Sequence, residues 1–550
     1  MKTKKILFAA ITCIGIICGL TALKSDDKNF EISKQLNIYA TLFRDVNMFY
    51  VDEIKPEELV GTSIKEMLKS LDPYTVYYPE SEMEDVKIMT TGEYAGIGSV
   101  ISKKGDQVII REPYKNSPAD KAGLLPGDVI LAIDGNSTKG KNTEEVSTML
   151  KGQPGKEITI KIQREFHSKP LEKKAIREKI QLPSVPYYSL VNDSTGYIFL
   201  SSFTDKSAAD VRKALIELKN KGAQSLILDL RGNSGGLLDQ AVDIVNYFVP
   251  KDSKVVDTKG KVKQWDKEYK ASHNPIAPDM PLAILIDRGS ASAAEIVSGA
   301  LQDLDRAVLI GERSFGKGLV QTVRDLAYNT KLKVTTAKYY IPSGRCIQAL
   351  DYTHRNADGS VGKVPDSLIT EYTTKNGRKV YDGGGITPDL KIEPTEYARI
   401  TQELVLQDLT FDFINSYALK NPQLPDLNDF KVTDEIYEQF KEYLKNKNFS
   451  YETASQRTLE KLVETAKAEK YYESNKEEIE KLKNSFNHSV DRDMNLFKDE
   501  IISFLTEQFI QRYYYLEGVI QYKMNHDEEV GRAIAILADP NEYNRILGKK

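Results

Sequence analysis

Apolar positions follow a different rhythm in each part of this chain. Between residues 30 and 90 they recur at helical spacing, as in Leu36, Tyr39, Leu42, Phe43 and Val46, until LDPYTVYYPE interrupts the pattern at Pro73 and Pro79. From Glu93 to about Arg164 the runs are short and strand-like (GSVIS, QVIIREP, DVILAIDG, EITIKIQRE). Glycine and proline turns separate them, with one short helical stretch at TEEVSTML, so the spacing predicts a compact β-rich module. A charged connector around Lys169 to Lys179 follows. Strand-like runs then alternate with helical ones: SLILDL (225–230), LLDQAVDIVNYFV, LAILID (282–287), AAEIVSGALQDL and AVLIG. Alternation of this kind predicts parallel strands joined by crossover helices. From about Thr395 the chain is tyrosine-rich, heavily charged and helical in period, which reads as helices with solvated faces. The fold class is therefore α/β multi-domain. Its parts are an N-terminal helical region (30–92), the β-rich module (93–166), an α/β core (180–394) and a C-terminal helical domain (395–550).

Composition narrows the function. With 550 residues, 40% hydrophobic and 28% charged, the chain is long enough for two to four separately cored domains. A net charge of -4 gives no basic excess pointing to nucleic acid. Three lysines precede an uncharged run from Ile6 to Leu23, which reads as an export segment, either a cleaved signal peptide or a retained membrane anchor over residues 1–25. Cys18 raises lipid attachment, against which stands the bulky Ile17. The expected location is the cell envelope or periplasm. Beyond that segment only Cys346 remains, so neither an intramolecular disulfide nor a cysteine-rich metal site is expected.

Four motifs compete for the chemistry. GERSFGKG (311–318) is one residue short of a phosphate-cradling loop, because Gly318 stands where a magnesium-binding Ser or Thr belongs, and Gly316 and Gly318 leave Lys317 on a flexible ribbon. GNSGG (232–236) satisfies G-x-S-x-G between a strand and a helix, making Ser234 a candidate nucleophile. The few histidines (His167, His273, His354, His488, His526) offer it no well-placed base, so free backbone N–H groups for an oxyanion are the better use of that turn. SFGK (314–317) fits S-x-x-K with Ser314 as nucleophile, but lacks the accompanying K-T-G. The fourth reading pairs Ser292, which opens an amphipathic helix with Ile296, Val297, Ala300, Leu301 and Leu304 on one face, with Lys317. A serine hydroxyl needs a base, and lysine serves once burial lowers its pKa from about 10.4 to about 7 or 8. Phe315, Leu319 and Val320 are the candidate desolvators. Against catalysis, Ser292-Ala-Ala-Glu295 also spells a capping box, although Ser290 could cap instead.

The segment DRGSASAAEIVSGALQDLDRAVLIGERSFGKGLVQ (287–321), with DLRGNSGG before it and YYIPSGRCIQ and GGGITPD after it, resembles the catalytic core of the carboxy-terminal processing proteases. These are periplasmic and chloroplast serine peptidases that carry a PDZ domain, and the likeness covers roughly residues 65 to 390. SPADKAGLLPGDVILAIDG, with YAGIG upstream, resembles that PDZ domain. The resemblance implies a crotonase/ClpP-like α/β protease core with an inserted PDZ domain and flanking helical regions. It also implies Ser292 as nucleophile, Lys317 as general base, Gln321 as the group that helps hold the lysine, and Gly235 and Ala293 as oxyanion amides, with Gly236 an alternative to Gly235. Gly96, Ile97 and Gly98 would receive a peptide's terminal carboxylate. The expected partners are polypeptides with apolar C-terminal tails, and a second copy or an adaptor on the terminal helices. No cofactor or metal is implied. The rival reading is a PDZ scaffold that binds peptides without cutting them.

Overall fold

The computed structural model describes residues 28 to 549 except 357, 395, 424–426, 428, 429, 487 and 488. The export segment lies outside them, as does His488. Among the described residues no helix is long and apolar enough to cross a membrane. Residues 28–77 with Leu332–Val334 form one compact unit and the rest of the chain another. The first unit holds a helix over 28–49 and a second, Pro56–Lys69, as the spacing predicts.

The second unit is built around a six-stranded sheet. Tyr187–Leu190 pairs antiparallel with Thr195–Phe199, and then Ser225–Asp229, Leu282–Ile286, Val308–Gly311 and Leu390–Lys391 follow in parallel. The central strands are buried at every position because both sheet faces are covered. Leu226, Leu228, Leu282, Ile284, Ile286 and Leu309 pack with the crossover helices Ser207–Asn220, Leu238–Asn246 and Ala293–Asp303. Ile227, Ala283, Leu285, Val308 and Ile310 point the other way, onto the end of the C-terminal region.

There Ile520, Met524, Val530, Ile536, Leu537 and Leu547 complete the second face. They come from the helices Lys498–His526 and Glu528–Ala538 and the turn after Pro540–Ile546. At about 1.5–3 kcal/mol for each fully buried side chain, this contact is worth on the order of 10 kcal/mol as an upper estimate. The C-terminal helices therefore do more than present charges to water. Their own core, around Phe413, Phe440, Leu505 and Phe509, is a separate cluster.

The helix opened by Ser292 also departs from expectation. An amphipathic helix was predicted, yet Ala293–Asp303 is buried on all sides. Its polar residues are paired inside, Ser298 Oγ with the Ala294 carbonyl and Asp303 with Arg345 at 2.8 Å. The β-rich module forms the expected strands Ser99–Lys104, Gln107–Pro113, Val129–Ile133 and Glu157–Gln163 and the helix Thr143–Leu150. The charged stretch expected as a connector is structured: Leu171–Ile176 adds to the module's sheet, and Glu178–Gln181 pairs antiparallel with Glu93–Gly96. That two-stranded ribbon carries the chain into and out of the module.

Candidate active site

DLRGNSGG turns at the end of the Ser225–Asp229 strand, and its polar residues hold the turn. Arg231 reaches Asp229, Asp527 and Glu529, each at 2.6 Å, so the loop is tied to the C-terminal helices. Asn233 is fully buried. Its Nδ2 donates to the Leu200 carbonyl at 2.7 Å, its Oδ1 accepts from Gly235 N–H at 2.8 Å, and its carbonyl accepts from Ala291 N–H at 2.9 Å. Gly235 has φ 99, and a Cβ there would lie 2.7 Å from the Ala291 oxygen, 2.8 Å from Ser292 Cβ and 2.9 Å from Ala293 N. Only glycine lets this loop press against the serine. Gly235 and Ala293, the two oxyanion candidates, thus adjoin at Ser292, although the Gly235 amide is engaged by Asn233 in this conformation.

Ser292 has φ 56 and ψ -113, outside the extended conformation of ordinary helix caps. A strained serine at a helix start costs about 1–3 kcal/mol and persists only where its surroundings hold it. Those surroundings centre on Glu295. This carboxylate is completely buried. Its Oε2 accepts from Ser292 N–H at 2.8 Å and Lys317 N–H at 2.9 Å, and its Oε1 from Gly316 N–H at 2.7 Å and Ser314 Oγ at 2.5 Å. Burial pushes its pKa up, against the opposing pull of these four donors. Tyr339, buried with its hydroxyl 2.6 Å from the Lys317 carbonyl and 3.2 Å from that of Ser292, bridges the two segments a second time.

These contacts bear on each of the sequence motifs. The amides a phosphate would need at Gly316 and Lys317 already face a carboxylate. Gly316 and Gly318 are not a flexible ribbon: a Cβ at Gly316 would lie 2.4 Å from Ala349 Cβ, and Gly318 N–H donates to Gln348 Oε1 at 2.8 Å. Ser314 Oγ is buried between Glu295 and Ile386 N–H at 2.6 Å, in a structural role. Ser290 serves the turn, through Asp287 and the Leu230 carbonyl, and does not cap the helix. Ser234 is exposed, and the side-chain hydrogen bonds of His167, His273, His354 and His526 all go elsewhere. Lys317 is half-buried. Of its expected desolvators Leu319 is buried, Val320 half-buried and Phe315 exposed. Gln321 lies on the strand Leu319–Asp325 and donates to Thr335 Oγ1 at 3.2 Å.

Glu295, Tyr339 and Asn233 went unrecognised as site residues in the sequence. Glu295 carried a signal, the S-x-x-E spacing. Asn233 and Tyr339 carried none of their own.

In the β-rich module, Gly96, Ile97 and Gly98 line a groove of about 200 Å³ together with Tyr94, Leu150 and Leu182. The loop is held by Ala119 N–H on the Ile97 carbonyl at 2.7 Å and by Ser117 Oγ on that of Gly98 at 2.8 Å. The amides of Gly98 and Ser99 approach the Tyr94 hydroxyl, whose pKa burial raises.

Family models match three segments: Peptidase family S41 over residues 194–355, a PDZ domain over 109–164, and "Probable PDZ-protease, C-terminal helical domain" over 400–537. A "Carboxy-terminal-processing protease" of Bartonella bacilliformis is 37% identical over 324 residues, 58% of this chain and 74% of the relative. A "Probable CtpA-like serine protease" of Staphylococcus saprophyticus is 33% identical over 395 residues, 71% of each chain. A solved photosystem II D1 C-terminal processing protease is 27% identical, covering 66% of this chain and 94% of its own, with a TM-score of 0.36. This chain belongs to the carboxy-terminal-processing protease family, serine peptidases in which an S41 core is combined with a PDZ domain.

Proposed function

We propose that the protein is an exported serine endopeptidase that cuts polypeptides near their C-termini with Ser292 as nucleophile and Lys317 as general base. The observation that carries this reading is the pair of bridges, the Glu295 carboxylate and the Tyr339 hydroxyl, that bind the backbones of residues 292 and 317 into one site. In the proposed reaction Ser292 Oγ attacks the scissile carbonyl while neutral Lys317 takes its proton. The resulting ammonium returns that proton to the leaving amine, and water then releases the acyl group by the same route. Gln321 orients the lysine. Ala293 N–H and Gly235 N–H receive the oxyanion once the latter leaves Asn233.

The PDZ groove at Gly96, Ile97 and Gly98 takes an apolar C-terminal tail, its apolar lining from Ile97, Leu150 and Leu182 supporting that preference. Tail binding shifts the PDZ domain from a resting to a competent position. The uncharged run at residues 6–23 supports export, with cleavage or anchoring both open to it, and the helix over 28–49 is the candidate for self-association or an adaptor. The scaffold alternative loses ground because the Glu295 cluster serves two loops that a peptide-binding surface has no need to join.

The test is cleavage of an unfolded protein with an apolar tail. Ser292→Ala and Lys317→Ala should each abolish cutting, and Ser234→Ala should leave it intact. Activity surviving in Lys317→Ala would sink the dyad, and none in the wild type would favour the scaffold.

A further inference from the structure

The joints between domains in this molecule are of two chemical kinds. The C-terminal region meets the protease sheet through a shared apolar cluster. The PDZ core, from Ile97 to Ala175, takes no residue from either neighbour. What joins the PDZ domain to the C-terminal helices is polar. Arg111 pairs with Asp408 at 2.6 Å, Lys104 with Asp412, and Lys115 with Glu517 at 2.8 Å. Tyr515 donates to Asp120 at 2.9 Å and Gln511 to Glu112 at 2.9 Å. The Arg111 guanidinium also lies 3.9 Å from the centre of the Phe411 ring. Side chains in the three ion pairs are between 24% and 53% exposed. Two cavities, of about 60 and 380 Å³, open along the same seam, so it is loosely packed.

Contacts of this kind are weak singly and are screened by salt. Each pair is worth a factor of about 1.5 to 5 in the docked population, and the three together about 3 to 100. The seam also falls at a mechanical joint. Tyr515, with φ 59 and ψ -168, breaks the Lys498–His526 helix. Before the break Leu505 and Phe509 belong to the C-terminal core; after it Ile520 and Met524 pack on the protease sheet. The chain then reaches Asp527 and Glu529, which hold Arg231 in the oxyanion loop. With the PDZ domain docked here, the Gly235 amide is occupied by Asn233.

We infer that these ion pairs form an electrostatic clip that holds the PDZ domain on the C-terminal helical domain in the resting state, and that opening the clip raises proteolytic activity. The inference deepens the gating role proposed above and rests on it. Two readouts separate them. Fluorophores on click-reactive residues at the exposed positions Lys139 and Glu473 report docking by energy transfer in the full-length protein, and digestion of an unfolded protein reports activity.

At about 0.05 M salt the wild type should be docked and slow. Raising salt to about 0.5 M, or combining Asp408→Lys with Asp412→Lys, should lower transfer and raise cleavage about 3- to 10-fold. In the double variant added salt should no longer lower transfer or raise cleavage, and adding Lys104→Glu and Arg111→Glu should restore both docking and slow cleavage, which a misfolded variant could not do. Unchanged energy transfer in Asp408→Lys/Asp412→Lys and at high salt would overturn the clip. Undocking with no gain in cleavage would refute the gating reading and with it the assignment of a regulatory role to the clip.

Discussion

Glu295→Gln tests the construction of the site, since it keeps size and shape while turning one acceptor oxygen into a donor. All four partners of the carboxylate are donors: Ser292 N–H, Lys317 N–H, Gly316 N–H and Ser314 Oγ, at 2.5 to 2.9 Å. Whichever way the amide turns, its NH₂ faces two of them. With NH₂ in the Oε2 place, the Ser292 and Lys317 amides both lose their acceptor. Turned over, Gly316 N–H is stranded and only Ser314 can rotate to accept. Hydrogen bonds to a charged acceptor are worth about 1.5–3 kcal/mol each, and a buried orphaned donor costs about 1–3 kcal/mol. The expected loss of stability is about 3–5 kcal/mol, a large part of the 5–15 kcal/mol typical of a domain.

Activity should suffer as well, because Ser292 is held at φ 56 by contacts that include this one. A displacement of about 1 Å between the proposed nucleophile and base costs on the order of 100-fold in rate. The assay is kcat/KM on a quenched peptide alongside urea denaturation, with peptide binding to the PDZ groove as a check that the rest of the molecule is folded. Glu295→Gln within twofold of wild type in kcat/KM, and with an unshifted denaturation midpoint, would refute the claim that this carboxylate assembles the site.

Three further expectations follow from the same geometry. Gly235→Ala places a methyl 2.8 Å from Ser292 Cβ at φ 99, so kcat should fall by about 100-fold or more while PDZ peptide affinity is unchanged, as kinetics and calorimetry would show. Ser314→Ala removes a donor to Glu295 and the acceptor of Ile386 N–H; it should cost about 1–3 kcal/mol in urea denaturation yet leave acyl-enzyme formation detectable by mass spectrometry. Glu529 has its pKa raised to about 7 by burial and by neighbouring Asp527, above its unfolded value of 4.5. Between those pH values the folded state binds the extra proton, so its stabilising effect is complete below about 4.5 and lost as pH rises through 7. Wild type should lose about 1 to 2 kcal/mol relative to Glu529→Gln between pH 5 and pH 8, after allowance for solvent screening, and parallel urea curves at the two pH values would refute this.

The strands, crossover helices and PDZ module were legible because each is a local pattern: alternation, a buried run, a glycine turn. The role of the C-terminal helices was not, since their apolar residues are diluted among charges and their partner strands lie more than 200 residues away. A clue was nonetheless present in SLILD and LAILI. Strands apolar at every position need cover on both faces, and the three crossover helices all lie on one, with Leu226 and Leu228, leaving Ile227, Ala283 and Leu285 for something else. The 169–179 stretch reads as a connector for the opposite reason. LEKKAI alternates, but lysine and glutamate at its outward positions masked a strand whose inward Ala175 is buried.

At Ser292 a helix-capping pattern and the proposed catalytic role fall on the same residues. By itself S-x-x-E reads as an alternative to catalysis, a serine that only closes a helix. In the structure Glu295 does make the expected bond to the Ser292 amide, while its own N–H donates to the Ser292 carbonyl at 2.9 Å. It then uses its remaining acceptor capacity on residues 314, 316 and 317. A carboxylate buried solely to cap one helix would be a poor bargain, because desolvating a charge outweighs a single hydrogen bond. Four donors from two loops make the burial tolerable, and the same four bonds bring the lysine segment to the serine. The capping signal therefore marks the place where the helix start and the 314–317 loop share one anchor.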